Sequence, residues 1–407
     1  MTEMEILSRL ATGRANSLFG DDVENSRNHL CKQIRGRRFL VIGAGGSIGS
    51  STVKMIAKYN PKTLHLIDQN ENSLVEVVRD LRNNSKNLKI DDFGTWPLDF
   101  GAPVVGEFIK NQERYDRVLN FAAIKHVRSE KDAYSVVQMF DTNLVKLNRL
   151  LTFFKINDRV PNHFFCVSTD KAADPVNLMG ASKKLMEDLM FLRCKESKGY
   201  MTSSTARFAN VAFSNGSLLS GMLIRLQKRQ PIALPDGCRR YFVSIEESGH
   251  LCLLASCRTP NNRIAIPRKG LRLVPTCIEE IAIKILKYFG KKPRFYNDET
   301  EACNYLEKDD KEGFYPILKT PLDTTGEKVD EIFVGQDETC EEIGLNSLQA
   351  VVPNEINSQK TNSFIDLIKD LTNGNQFLDK NSIVKLVYSH IKRFNHVETK
   401  KNLDDRM

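Results

Sequence analysis

The chain has 407 residues, enough to bury a sizeable core and to hold more than one lobe. Hydrophobic residues make up 41% and charged ones 27%, the balance of a soluble globular protein, and no run of about 18 apolar residues is present to span a membrane. The net charge of +8 arises from lysines and arginines interspersed with acids, without a basic stripe carrying aromatics. That pattern argues against a nucleic-acid partner, and a basic cleft for a diphosphate accounts for the excess as well.

In chain order, residues 1–35 read as a polar helical leader, and Met1-Thr2-Glu3-Met4-Glu5 carries acid where a signal peptide would carry base. Nine cysteines without CxxC pairs, Cys166 and Cys252 among them inside apolar runs, are expected to be reduced thiols in a cytoplasmic protein, with no zinc or other metal site. From Arg38 the pattern becomes strand, glycine turn, helix, strand. Strands are expected at 39–42, 63–67, 117–121, 163–167 and 203–208, with helices at 47–59, 72–81 and 136–154. Nearly continuous apolar strands alternating with helices predict an α/β fold, a Rossmann-type doubly wound parallel sheet over 36–208. After Phe208 the alternation gives way to short elements, read as a smaller substrate-binding lobe over 209–340. Residues 341–407 show little sign of a sheet and read as a helical extension, with helical segments at 363–371 and 380–394 that either pack on the substrate lobe or mediate oligomerisation.

Gly43-Ala44-Gly45-Gly46-Ser47-Ile48-Gly49 follows the first strand and opens a helix. Gly43 permits the tight turn, Gly46 lets the backbone approach a pyrophosphate, and Gly49 allows helix and strand to pack closely; Ser47 and Ile48 supply amides at the helix N-terminus. Asp68 ends the second strand about 25 residues after Gly43, where a carboxylate holds the adenosine ribose. Gln69 and Asn70 follow it with no Arg or Lys, which favours NAD over NADP because a carboxylate repels a 2′-phosphate. Asp99 is a candidate for the adenine amine.

The segments 120–127 and 168–171 follow the fourth and fifth strands, so the switch-point rule brings them to one ligand crevice. Lys183 lies four residues after Met179, on the same helical face. In Ser168-Thr169-Asp170-Lys171 followed by Met179-Gly180-Ala181-Ser182-Lys183, a thioether stands where a short-chain dehydrogenase would carry a phenol. A methionine neither donates nor accepts a proton at a useful pKa, so other groups must do that work.

The motifs GAGGSIG, FAAIKHV, STDKAADPVNLMGASK, RFANVAFSNGS, RRYF and TGEK resemble the extended short-chain dehydrogenase/reductase branch of CapD-like polysaccharide-biosynthesis proteins, the UDP-N-acetylglucosamine 4,6-dehydratases, from about Gly36 through Gly335. Thr12-Gly13-Arg14 looks like the family's leader. The resemblance implies a lyase that uses NAD to oxidise the sugar at C4, loses water across C5 and C6, and returns hydride to C6, giving a UDP-4-keto-6-deoxy-N-acetylhexosamine for surface glycan or nonulosonic acid biosynthesis. It implies Lys171 as base at C5, Asp170 as acid at O6, Thr169 on the C4 hydroxyl, Met179 in the phenol's place and Lys183 on the nicotinamide ribose. Such roles require shifted pKa values for Asp170 and Lys171. The group that takes the C4 hydroxyl proton is left open, Lys183 acting through Thr169 or a water being the preferred route.

The same resemblance places Ala122, Ala123 and Asn143 with the cofactor and Lys125, His126, Asn210, Ser217, Arg225, Arg240 and Glu327 with the UDP-sugar. His126 is read as a hydrogen-bonding group, not a nucleophile. Arg225 stands where relatives usually have glutamine, and Arg229-Gln230 and Thr324-Thr325 depart from their pattern in the same pocket. A homo-oligomer is implied as well. Three alternatives remain beside the leading one: a C5-inverting dehydratase, a 4-epimerase, and a non-catalytic NAD-sensing scaffold.

Overall fold

The computed structural model describes residues 2–83, 89–125, 130–271, 273–321, 331–396 and 398. A nine-stranded sheet runs through its centre. Six parallel strands, β1 (Arg38–Ile42), β2 (Thr63–Ile67), β3 (Asp92–Trp96), β4 (Arg117–Asn120), β5 (His163–Val167) and β6 (Thr202–Ala206), lie in the order β3-β2-β1-β4-β5-β6, the doubly wound arrangement. Alternate residues feed opposite faces: Leu40 and Ile42 enter one core while Phe39 and Val41 enter the other, and Phe164 and Cys166 oppose Phe165 and Val167 in the same way. β3 was not among the expected strands because Asp92-Phe93-Gly94-Thr95-Trp96 has no apolar run and stays half exposed at the sheet edge.

The register fixes the site. Ile42 pairs with both Ile67 and Asn120, Asn120 with Cys166, and Val167 with Ala206. The carboxyl ends of β1, β2, β4 and β5 are therefore level. Gly43, Asp68, Phe121 and Ser168, each one residue beyond its strand, emerge along a single edge.

Two expectations need correction. The chain after 341 does contribute to the sheet: Leu348–Val352 pairs antiparallel with Arg263–Pro267, itself parallel to β6, and Thr339–Glu341 adds an outer strand. The short run Leu348-Gln349-Ala350-Val351-Val352 has too few residues to declare itself without its partner. The single helix expected over 136–154 is three pieces, Ala133–Phe140, a π-helical stretch Asp141–Val145 and Lys146–Ile156.

The helices Ser358–Thr372 and Lys380–His390 pack on the Rossmann helices, not on the smaller lobe after Phe208. Phe364, Ile365, Ile368, Ile383 and Val387 share a core with Phe140, Leu144 and Met190, and the Phe140 and Phe364 rings meet at 5.4 Å. At the other end, the Glu3–Thr12 helix is closed by a Thr2/Glu5 capping box and puts Leu7 and Ala11 into the core of the small lobe. Arg14 then grips Glu247 with two hydrogen bonds of 2.9 and 2.6 Å and the Phe242 carbonyl with a third of 2.8 Å. Among the described residues no helix is long and apolar enough to cross a membrane.

Because Phe364 is 1% exposed and faces Phe140, Phe364→Ala is expected to cost about 3–5 kcal/mol. The shift of the urea unfolding midpoint measures it, and an unchanged midpoint would show that the extension is not part of the folded unit.

Candidate active site

The level strand ends open on a cleft of about 770 Å³. One wall is the glycine loop. Gly43 has φ +73°, and a Cβ there would sit 2.6 Å from the Ala122 amide nitrogen; one at Gly49 would sit 2.1 Å from the Gly43 carbonyl oxygen. A side chain at Gly43 would run into the segment after β4, and one at Gly49 into the backbone of the glycine loop itself. Gly46 N-caps the Ser47–Ala57 helix, which directs the first amides of that helix into the cleft. Asp68 is held rigidly, its Oδ2 accepting from the Gly45 amide and its Oδ1 from the Asn70 amide, both at 2.9 Å.

Ala122, Ala123 and Lys125 line the facing wall. Asn143 does not line the cleft: its Oδ1 accepts from the Ile124 amide and its Nδ2 donates to the Ile124 carbonyl, each at 3.0 Å, with Ser182 Oγ 2.9 Å away. It sits in the π-helical stretch and braces the wall from behind. Asp99 faces the cleft, ion-paired with Lys146 and accepting from the Gly101 amide at 3.0 Å, contacts that fix its carboxylate in place.

At the end of β5, Thr169 N-caps the short 3₁₀ turn Asp170–Ala172. The Thr169 hydroxyl donates to Asp170 Oδ1 at 2.6 Å, and Lys171 Nζ lies 3.2 and 3.3 Å from the two Asp170 oxygens. Asp170 is 1% exposed although its turn opens on the cleft. The Leu178–Glu196 helix can come close because of Gly180, where a Cβ would lie 2.2 Å from the Lys171 carbonyl oxygen. That helix puts Met179 and Lys183 into the same cleft, both buried. Lys183 Nζ donates to the Val167 carbonyl at 2.9 Å, and burial pushes its pKa down to about 8. The hydroxyl of Thr169 is thus turned to Asp170 and the ammonium of Lys183 to a backbone carbonyl.

On the small-lobe side Asn210 and Ser217 line the cleft, Ser217 as N-cap of Leu218–Gln227. Ser47 Oγ accepts from the Asn215 amide at 3.0 Å, joining this segment to the glycine loop. The Asn210 amide donates to Glu331 Oε1 at 2.6 Å and to the Tyr241 carbonyl at 3.3 Å. Arg240 stays near the site, its Nε 3.7 Å from Glu331. Arg225 does not: its guanidinium donates to the Pro231 carbonyl at 3.0 Å, away from the cleft. His126 and Glu327 lie outside the described residues.

Three acids were not anticipated. Glu331 is 3% exposed at its side chain, accepts from the Tyr241 amide at 2.9 Å and approaches Lys171 Nζ to 3.8 Å. Burial and the Asp170 charge push its pKa up, with Lys171 opposing. Nothing in Asp330-Glu331-Ile332 marks it as special, and only the fold brings it here. Glu187 and Glu338 clamp Arg207, which is fully buried and bonded to both carboxylates at 2.5–2.9 Å. Glu187 also accepts from Ser168 Oγ at 2.6 Å. Its place four residues after Lys183, on the same helical face, is the one signal that could have pointed to it.

Residues 39–352 match the family of polysaccharide biosynthesis proteins. The chain belongs to that family. It is 28% identical over 354 residues, 86% of this chain and 95% of the relative, to an uncharacterized membrane protein of Methanocaldococcus jannaschii. It is 27% identical to the capsular polysaccharide biosynthesis protein CapD of Staphylococcus aureus over 71% of this chain, spanning about half of that relative (47%). A UDP-N-acetylglucosamine 4,6-dehydratase (inverting) of Campylobacter jejuni is 25% identical over 57% of this chain and 67% of its own length. Among solved structures the fold is similar to Pen from Bacillus thuringiensis, with a TM-score of 0.62 at 18% identity covering 83% of this chain and 98% of Pen. It is similar also to the Bordetella bronchiseptica enzyme WbmF in complex with NAD+ and UDP, with a TM-score of 0.51 at 16% identity covering 63% and 79%.

Two stability effects follow from the buried charges. Arg207→Met strands two carboxylates in the interior and is expected to cost about 3–5 kcal/mol, read as a fall in the urea midpoint. For Lys183 the folded pKa of about 8 lies below the ordinary 10.5, so between these values the unfolded chain binds a proton that the folded chain does not. Stability therefore rises with pH across that window, by about 3 kcal/mol for this group. Lys183→Met should lose that rise, which unfolding of both proteins at about pH 7.5 and about pH 10 compares; identical pH responses would contradict it.

Proposed function

We propose that this chain is an NAD-dependent nucleotide-sugar 4,6-dehydratase acting on UDP-N-acetylglucosamine in surface-polysaccharide biosynthesis. The observation that carries the reading is the Thr169–Asp170–Lys171 turn, with Asp170 buried, facing Met179 and Lys183 in one cleft, with a carboxyl and an amine adjacent and no phenol lining the site among the described residues. An alcohol oxidation alone needs no such second pair. An elimination does, because one group must remove the C5 proton while another protonates the departing C6 hydroxyl.

The cofactor reading is supported by the glycine cradle, the helix N-terminus beside it and the fixed Asp68 carboxylate suited to ribose hydroxyls. When bound, NAD supplies the oxidation at C4 and the reduction at C6. This chain's residues do the rest. Thr169 hydrogen-bonds the C4 hydroxyl, Lys171 takes the C5 proton, Asp170 gives a proton to O6, and Lys183 orients the nicotinamide ribose. The 214–217 segment, with Ser217 as an N-cap, is assigned to the diphosphate because it lines the cleft and presents helix N-terminal amides, and Arg240, 3.7 Å from Glu331, is assigned to the same ligand. The names of the Campylobacter relative and of the WbmF complex with NAD+ and UDP agree with this choice of chemistry.

The test is incubation of the purified chain with UDP-N-acetylglucosamine in heavy water, followed by NMR of the product. A dehydratase gives a 4-keto-6-deoxy sugar carrying deuterium at C5, whereas a 4-epimerase leaves C5 unlabelled and C6 oxygenated. The C5 configuration of the product separates retention from inversion. Lys171→Gln is expected to lower product formation about 100-fold or more. A wild-type chain that forms no product from any UDP-sugar would overturn the reading in favour of a cofactor-binding scaffold.

A further inference from the structure

The helix Leu178–Glu196 carries Met179 and Lys183 into the cleft, and its first turn is held from outside the cleft. The opening amides of a helix have no partner within it, so other groups must accept from them. The Asn177 side chain accepts from the Gly180 amide at 2.7 Å. Glu130 serves the amides before that one: its Oε1 accepts from Met179 at 2.9 Å, and the Leu178 amide also draws on the carboxylate. Glu130 is 3% exposed and does not line the cleft. Its Oε2 is buried with no hydrogen-bond partner among the described residues. A neutral acceptor such as glutamine would support a helix start without burying a charge.

The same turn is gripped from its other side by the extension. The Asn395 amide donates to the Pro175 carbonyl at 3.1 Å, and His396 Nδ1 lies 3.4 Å from the Val176 carbonyl. Lys380, the first residue of the Lys380–His390 helix, pairs with Glu398 at 2.5 Å. Both act on the Glu130 charge, Lys380 in its favour and Glu398 against it.

We propose that Glu130 is a positioning residue for the reaction: its carboxylate holds the first turn of the helix that carries Met179 and Lys183, and the Lys380–Glu398 pair of the extension governs that hold. The inference rests on the dehydratase reading for the reaction that the turn serves, but the hold itself can be read without turnover.

That turn meets the chemistry at two points. Gly180 rests on the Lys171 carbonyl, where a Cβ would lie 2.2 Å from the oxygen, and Met179 faces the cleft. Lys183 follows about one turn later. A carboxylate at a helix N-terminus is attracted by the helix dipole as well as by the amides, whereas the neutral acid keeps only the hydrogen bonds. Loss of the charge therefore loosens the turn that sets Lys171, Met179 and Lys183 relative to one another, while every group assigned to the UDP-sugar stays in the chain. The effect belongs in kcat and not in KM, because small displacements of reacting groups slow the chemical step.

Burial pushes the Glu130 pKa up to about 7, with the Met179 and Leu178 amides and Lys380 opposing and Glu398 adding to the rise. The groups that face it are those two amides from the site helix, Lys380 from the Lys380–His390 helix, and Glu398, with His396 3.7 Å from Glu398. On its own segment Lys131 follows, and Asp132 is engaged as the N-cap of Ala133–Phe140.

The experiment labels the methionine methyls of the full chain with carbon-13 and follows them by NMR between about pH 5.5 and about pH 9. Met179→Leu identifies the Met179 signal by its loss. In the wild type that signal is expected to shift with a midpoint near 7; Glu130→Gln should abolish this step and leave one from Lys183 at about 8. Lys380→Met should move the Glu130 midpoint up and Glu398→Gln should move it down. With UDP-N-acetylglucosamine as substrate, Glu130→Gln is expected to lower kcat about 10-fold or more and to leave KM within a few fold. A step near 7 that persists in Glu130→Gln, or an unchanged kcat in that variant, would overturn the inference. Should Glu130→Gln fail to fold, Lys380→Met and Glu398→Gln decide it with the carboxylate in place, and a midpoint that neither moves would sink it. A wild-type chain that makes no 4-keto-6-deoxy product would instead bring down the dehydratase reading, and the Met179 titration would still decide whether Glu130 holds the turn.

Discussion

Arg207 is a guanidinium with no exposed surface, and it fixes the geometry on which the site depends. One fork binds Glu187 in the middle of the Leu178–Glu196 helix, and the other binds Glu338 in the chain that returns to the sheet. Glu187 in turn accepts from Ser168, the first residue beyond β5. One cation therefore ties together the strand end that carries Thr169, Asp170 and Lys171, the helix that carries Met179 and Lys183, and the segment that follows Glu331. A buried charge of this kind is expensive unless every partner is present, so the three pieces hold one another in a single arrangement.

Around that anchor, the chain uses close backbone approach wherever ligands or helices must come near. Gly43 lets the first turn lie against the segment after β4, Gly49 lets the following helix pack on that turn, and Gly180 lets a helix end rest on the Lys171 carbonyl. Polar side chains that face away from the cleft do supporting work. Asn143 props Ile124 from behind, Asn120 accepts from the Ala122 amide at 3.0 Å, and Asn177 caps the helix below Met179. The cleft itself is left with few ionisable groups, and most of these are already committed to partners.

The first and last described helices are built into the same body. The leader helix packs into the small lobe and Arg14 fastens it at Glu247, whose carboxylate also closes the capping box of the Ile245–Arg258 helix. The last two described helices cover the Rossmann helices Ala133–Phe140 and Leu178–Glu196, the second of which carries the site lysine. Asn395 donates to the Pro175 carbonyl at 3.1 Å, and Arg393 pairs with Asp337, so the tail touches the loop between the Asp170 turn and that helix.

Much of this was legible in the sequence because it follows from local rules. Apolar runs spaced by helices define a parallel sheet, a glycine pattern after the first strand defines a phosphate-facing turn, and the ends of parallel strands converge whatever the loops do. Thr169, Asp170 and Lys171 fall at such an end, and the likeness of the motifs to a short-chain dehydrogenase layout set Met179 and Lys183 beside them. The rest required contacts between distant segments. The strand Leu348–Val352 is a strand only because Arg263–Pro267 offers it an edge. Asn143 and Arg225 sit in plausible motifs, yet their amide and guanidinium find backbone partners outside the cleft. Glu331 carries no motif and reaches Lys171 from far along the chain. The sequence by itself determined the scaffold and the segments that leave its strand ends, since periodicity and turn chemistry are local. Only the tertiary structure decided which polar groups those side chains face, because a hydrogen-bond partner depends on packing across the whole fold.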